Sequence, residues 1–279
     1  MDDKKLYYIW LQQTLGYGSH KIRTVNLLYK QIEDFYNAGI NTWRLCGCFT
    51  NHELDLMNSY DINKAKEILN KCNQLCYRVV TIEDKEYPYN LKNIENPPCV
   101  LYVKGDSLEI LNEYLSISIV GTRNATRNGL KSAFDISFAL AKNNVIIISG
   151  GAVGIDSQAH KGALQAGFKT FCVLGCGLNF NYLSENAHLR KLISQNGAVI
   201  SEYPPDYPAY SRNFPIRNRI ISALSLGTIV IEAGEKSGSL ITADLALKQN
   251  KDVFAVPGDI LSKYSKGSNA LIKDGAKPV

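Results

Sequence analysis

The residues best suited to chemistry in this 279-residue chain sit at the ends of four apolar runs. Val145-Ile146-Ile147-Ile148 leads into Ser149-Gly150-Gly151-Ala152-Val153-Gly154-Ile155-Asp156, with Ala159-His160 one turn later. A continuous β-branched run reads as a buried strand. The glycines at 150, 151 and 154 let it turn sharply into a helix, leaving backbone N–H groups uncovered. Amides at a helix start, backed by the positive end of the helix dipole, hold a phosphate without a dedicated side chain. Asp156 is awkward there, because a carboxylate repels phosphate unless it caps the helix or pairs with an arginine. His160 reads as a packed or hydrogen-bonded residue rather than a catalyst.

A second exit, Val120-Gly121-Thr122-Arg123-Asn124-Ala125-Thr126-Arg127, puts Arg123 and Arg127 just past a strand with Lys131 nearby, and no acid lies between Glu113 and Asp135. An uncompensated basic loop suggests anion contact; the alternative is that Arg123 pairs with a carboxylate such as Asp156. In the third, Tyr207 to Arg219, the arginines 212, 217 and 219 alternate with aromatics and prolines, and the next acid is Glu232. Arginines hold backbone phosphates while exposed rings stack bases, so this composition suits single-stranded nucleic acid. An ordinary loop with solvated arginines and core aromatics is the alternative. The fourth, from Glu232 to Ala243, presents the amides of Gly238 and Ser239 with Thr242 within a turn, a second anion-binding helix start. No Walker loop and no G-x-G-x-x-G fingerprint with its distal acid is present, so ATP and NAD find no support and no cofactor is expected.

Parallel strands are what bring such exits to one edge. Strands are predicted at 78–82, 100–104, 116–120, 145–149, 170–174, 198–201, 228–231 and 252–256. Helices are predicted at 129–142, 156–165, 185–195, 218–226 and 240–249. Strand and helix in alternation imply an α/β fold, a mostly parallel sheet with helices on both faces and ligands beyond the carboxyl ends of its strands. Residues 1–76 differ: Leu6, Ile9, Trp10, Leu11 and Leu15, then Ile22, Val25, Leu28 and Tyr29, follow helical spacing and predict a small all-α domain before the 77–279 domain. The hairpin Leu15-Gly16-Tyr17-Gly18-Ser19 joins its first two helices, either as a plain connector or, as such hairpins sometimes do, as a grip on a DNA backbone.

Composition adds bounds. A net charge of +5, with 45% hydrophobic and 20% charged residues, is ordinary for a globular protein and too mild to establish a nucleic-acid partner by itself. No apolar stretch is long enough for a membrane span and the first residues lack a signal-peptide core, so a cytoplasmic protein is expected. Six of the seven cysteines fall into C-x-C and C-x3-C pairs with no nearby histidine to complete a zinc set, which favours reduced thiols and no metal.

Five motifs in order, Val120-Gly121-Thr122-Arg123, Ser149 to Asp156 with Ala159-His160, Ser201-Glu202-Tyr203-Pro204-Pro205, Phe214-Pro215 through Arg217-Asn218-Arg219-Ile220-Ile221, and Gly238-Ser239-Leu240-Ile241-Thr242-Ala243 followed by Val256-Pro257-Gly258, resemble the DprA/Smf family of DNA-processing proteins. The resemblance spans residues 77–279. It implies an extended Rossmann-like domain that binds single-stranded DNA, protects it and helps load the RecA recombinase during natural transformation, as a homodimer and not as an enzyme. Carried over by motif, Arg123 with the amides of Ser149, Gly150 and Gly151 would form a phosphate pocket. Phe214, Arg217, Asn218 and Arg219 would line the adjacent surface, and Gly238, Ser239 and Thr242 its rim. Gly121, Gly154 and Arg212 join this set from their places in the loops. The helical N-terminus looks more weakly like a SAM-like or helix-hairpin-helix domain, and the C-terminal winged-helix-like domain of many members is absent or truncated. The rival reading is an enzyme similar to the nucleotide phosphoribohydrolases, in which Glu232 would act because Thr242 stands where their catalytic glutamate belongs.

Overall fold

The structure is a computed structural model describing residues 3–279. It opens with five helices, α1 (Asp3–Leu15), α2 (Lys21–Leu28), α3 (Ile32–Leu45), α4 (Asn51–Ser59) and α5 (Ile62–Gln74). Polar residues set two of their starts: Thr50 and Glu53 form a reciprocal capping box on α4, and the Asp61 carboxylate accepts from Asn63 N–H at the start of α5.

The remainder alternates. It runs β1 (Arg78–Thr81), α6 (Tyr89–Lys92), β2 (Val100–Gly105), β3 (Ser116–Val120), α7 (Arg127–Lys142), β4 (Ile146–Ser149), α8 (Ile155–Ala166), β5 (Thr170–Leu174), α9 (Ala187–Gln195) and β6 (Gly197–Ser201). Then follow α10 (Asn213–Ala223), β7 (Gly227–Val230), α11 (Gly238–Lys248), β8 (Asp252–Ala255), α12 (Lys266–Lys273) and β9 (Lys277–Pro278). Among the described residues nine strands form one sheet in the order β1-β2-β6-β5-β4-β3-β7-β8-β9. Of its pairs, β1/β2 and β2/β6 are antiparallel and the others parallel. From β3 the chain builds outward through β4, β5 and β6, then returns to the other side of β3 to lay down β7, β8 and β9. That reversal splays the exits of β3 and β7 apart and opens a crevice at the carboxyl edge.

Successive strand residues point to opposite faces. Ile147 joins Ile119, Ala133 and Ala159 under α7 and α8. Ile146 and Ile148 join Ile220, Ile221 and Ala243 under α10 and α11. The second cluster continues without a break through Val100 and Tyr102 into Trp10, Phe35 and Trp43, so the N-terminal helices share a core with the sheet.

Three elements differ from expectation in ways that matter. α10 begins at Asn213 rather than near 218, so most of the arginine and aromatic stretch is helix, not loop. Pro215 permits this, because its missing N–H falls in the first turn, where no intrahelical acceptor is available. α12 and β9 add a helix and a strand that the sequence pattern does not predict. Among the described residues no helix is long and apolar enough to cross a membrane, and no group of His, Cys, Asp or Glu is placed to hold a metal ion. All seven cysteines are free thiols.

Candidate nucleic-acid cleft

Three glycine-rich exits and α10 converge on a cleft of about 300 Å³ at the reversal of strand order. The β3 exit contributes Gly121, Thr122 and Arg123; the β4 exit contributes Ala152 and Asp156. Phe214, Arg217, Asn218 and Ile221 come from α10, and Ser237, Gly238, Ser239 and Thr242 from the start of α11.

Backbone contacts lock these loops. Thr122 N–H donates to Glu232 O at 2.8 Å and Ile155 N–H to Thr122 O at 3.3 Å. Gly121 lies so close to α8 that a Cβ would sit 2.6 Å from Ile155 Cγ1. Gly154, at φ +84°, brings its α-carbon against the carbonyls of Thr122 and Arg123, where a Cβ would lie 2.6 and 2.5 Å from the oxygens. It ties the two loops together from behind and does not line the cleft.

Arg123 is exposed, and among the described residues no carboxylate pairs with it; the alternative ion pair with Asp156 does not form. Its Cζ stands 5.5 Å from the centre of the Phe214 ring, and the Cζ of Arg217 stands 5.9 Å from the same ring. Both are within cation–π range. Tyr182 packs on Phe214 at 5.2 Å, which steadies the ring.

Arg217 is different in kind. Only 5% exposed, it donates from Nη1 to Gly150 O at 2.8 Å and to Val173 O, and its Nε has no partner. Burial lowers its pKa, while Asp156 pulls it back. Asp156, also buried, accepts from Ala152 N–H at 3.3 Å. Burial raises its pKa against the attraction of Arg217. The aspartate therefore answers chiefly the charge of Arg217 and, more weakly, that of Arg123, which resolves its awkward place beside an anion site; Arg123 itself stands exposed at the opening.

At the opposite rim Ser237 caps α11, accepting from Ser239 N–H at 3.4 Å, and Asn218 Nδ2 donates to Gly238 O at 3.4 Å. Gly238 is exposed, and a Cβ on it would meet nothing within 4 Å. This helix start faces open cleft.

Several expected site residues lie elsewhere. Ser149 is fully buried and its hydroxyl donates to Ile119 O at 2.7 Å. Gly150 lies behind Arg217, and Gly151 packs toward Cys172 Sγ. None of these three lines the cleft, where Ala152 stands instead. Arg212 is exposed next to the Tyr210 ring, outside the lining. Arg219 requires a correction: it is 2% exposed and grips Glu202 with both Nη atoms, at 2.9 and 2.7 Å, on the other side of α10. Asp156, Ala152 and Ser237 join the lining outside the expected site set; Asp156 carries a sequence signal in its place at the glycine exit and Ser237 in its place before an apolar helix run, while Ala152 carries none.

His160 donates from Nδ1 to Thr170 Oγ1 at 2.7 Å, because that hydroxyl already donates to Ile147 O at 2.9 Å. Buried, with Arg217 adding to the effect, its pKa is lowered to about 3. Glu232 accepts from Thr126 N–H at 2.8 Å and from Thr126 Oγ1 at 2.5 Å, and it lines a neighbouring hollow with Pro257 and Ser262 instead of the cleft. The cleft thus offers an exposed cation, an aromatic ring and helix-terminal amides, features that fit a chain of phosphates with flat bases.

Residues 78–279 match the family described as DNA recombination-mediator protein A. DNA processing protein DprA of Bacillus subtilis is 41% identical over 200 residues, covering 72% of this chain and 67% of that one. DprA of Streptococcus pneumoniae is 42% identical over 199 residues, 71% of this chain and 70% of its own. The X-ray structure of the pneumococcal protein superposes with a TM-score of 0.82 at 32% identity, over 98% of this chain and 94% of that one. DNA processing protein A of Helicobacter pylori, whose structure describes a single-stranded DNA binding mode, superposes at 0.65 with 34% identity, over 72% and 90%. With the motifs, the sheet order and these relatives in agreement, the chain belongs to the DprA/Smf family of DNA-processing proteins.

Proposed function

We propose that this chain binds single-stranded DNA in the cleft, with Arg123 and the open start of α11 holding phosphates and Phe214 offering a stacking face. One observation carries the reading: an exposed arginine without a carboxylate partner stands 5.5 Å from an aromatic ring at the sheet's switch point. A surface cation held beside a ring, with no ion pair to break, is ready for an incoming phosphate. The single-stranded DNA binding described for the Helicobacter pylori relative supports the same assignment.

In this reading the protein acts in the cytoplasm as a homodimer, without catalysis, protecting incoming DNA and helping to load RecA during natural transformation. The test is fluorescence-anisotropy binding of a labelled oligothymidine over a salt series with duplex competitor. Salt-sensitive binding that duplex competes poorly is expected, and its absence overturns the proposal. Faster RecA filament growth on the same strand tests the loading step. The base-releasing alternative is disfavoured by Glu232, whose carboxylate is bonded to Thr126 away from the cleft. Release of adenine from AMP, abolished in Glu232→Gln, would restore it.

A further inference from the structure

The glycine hairpin between α1 and α2 lies outside the cleft, yet its backbone is engaged. Gly18 N–H points at Glu202 Oε1, 3.4 Å away, and Asn96 Nδ2 donates to Gly18 O at 3.2 Å. The Tyr17 ring packs 4.4 Å from Tyr203 and 5.1 Å from Tyr207. A protein carboxylate therefore already faces the Gly18 N–H, and the connector is a docking surface for the sheet.

Glu202 holds more than the hairpin. Fully buried, it takes both prongs of Arg219, whose Nε donates to Asn96 O at 3.0 Å. Its own main-chain carbonyl accepts from Gln12 on α1 at 2.7 Å. The hairpin also touches α10 directly, since a Cβ on Gly18 would lie 3.0 Å from Ile216 Cγ2. Ile216 and Arg219 form the rear of α10; Phe214, Arg217 and Asn218 form the front that lines the cleft.

We propose that Arg219 is a positioning residue: with Glu202 it forms a buried latch through which the N-terminal hairpin fixes α10, and so sets Phe214 and Asn218 in the cleft. The proposal rests on the single-stranded DNA reading of that cleft. A bidentate buried pair holds one geometry well, because any shift leaves a charge uncompensated away from water. A short helix gripped from behind transmits that geometry to its front.

The test perturbs only the rear. Gly18→Ala places a methyl against Ile216 at a residue with φ +76°, and Arg219→Lys keeps the charge but loses the fork. Each is measured for oligothymidine affinity alone and in combination with Phe214→Ala and with Arg123→Ala, alongside amide hydrogen exchange of residues 213–223. Weaker binding is expected, coupled to Phe214→Ala by about fivefold or more, with a smaller coupling to Arg123→Ala, whose guanidinium meets α10 at the Phe214 ring. Faster exchange in α10, with α7 and α8 unchanged, is expected from the same variants. General loss of stability produces neither pattern. Unchanged affinity in folded variants, or full additivity with Phe214→Ala, overturns the latch. If the wild type fails to bind oligothymidine, the DNA reading falls and the exchange result decides the latch alone: unaltered α10 protection overturns it. Should Gly18→Ala not fold, Arg219→Lys carries both measurements.

Discussion

Arg217 and Arg219, two residues apart on α10, send their guanidinium groups to opposite sides of the helix: the first donates to Gly150 O beneath the cleft, the second grips Glu202 behind it. Arg123, on a different loop, is the cation left facing outward. The three arginines thus divide into one exposed at the cleft opening, one in the cleft floor and one in the rear packing of α10.

Arg123→Ala should therefore weaken binding without harming the fold. An exposed side chain lacking an ion pair changes stability by no more than about 0.5 kcal/mol when removed. For a single strand, giving up one arginine–phosphate interaction makes the slope of log affinity against log salt shallower by about 0.7. The same oligothymidine titrations at several salt concentrations, with a urea melt as control, check both parts. Unchanged slope and affinity would remove Arg123 from the site.

Arg217→Ala should damage the fold before it reports on binding. It leaves the carbonyls of Gly150 and Val173 without the Arg217 donor, and Asp156 buried without its main countercharge. Removing one member of a buried charged network costs about 3–5 kcal/mol. Urea unfolding without DNA should show that loss, in contrast to Arg123→Ala. A variant as stable as wild type would show that Arg217 is free for the ligand.

His160 makes stability depend on pH. Its ring is held neutral by burial, with its pKa lowered from 6.5 to about 3. Between those values the unfolded chain takes up a proton that the folded chain refuses, so this contribution is full above about pH 6.5 and is lost as pH falls. At pH 5 the loss amounts to about 2 kcal/mol. Asp156, whose pKa is raised, works in the opposite direction, so the measurement must be differential. Urea melts at pH 7.5 and 5 should show wild type losing about 2 kcal/mol more than His160→Gln; equal losses would mean that the ring is not buried neutral.

Much of this was legible from local pattern, and the failures share a cause. The runs at 145–149, 170–174 and 228–231 read as strands because both sheet faces are covered, each lands within a residue of the strand the structure shows, and the glycine exits follow from them. Arg217 and Arg219 look alike in sequence, and a loop imposes no fixed phase between them. Once α10 begins at Asn213, residues two apart diverge by about 200° around the axis, which sends Arg219 away from the cleft. Its partner Glu202 lies beyond the reach of local reading. Ser149 to Gly151 stand behind the cleft lining for a related reason: Arg217 arrives from α10 and fills the space beside Gly150.

Two glycines separate support from contact. Gly154 at φ +84° and ψ −129° occupies backbone space that side chains rarely enter, and a methyl there would strike the carbonyls of Thr122 and Arg123. Gly154→Ala should cost about 1–3 kcal/mol from its backbone alone and push the Arg123 loop aside, so stability and affinity fall together. Gly238 has open space around it, so Gly238→Ala is accommodated in the first turn of α11 while its methyl enters the cleft at the amide end. Its melting temperature should stay near that of wild type, or rise slightly through reduced freedom of the unfolded chain, while oligothymidine affinity falls. Unfolding and titration measured on both variants check the contrast. Full affinity in Gly238→Ala would mean that DNA does not approach the start of α11, leaving Arg123 and Phe214 to hold the strand.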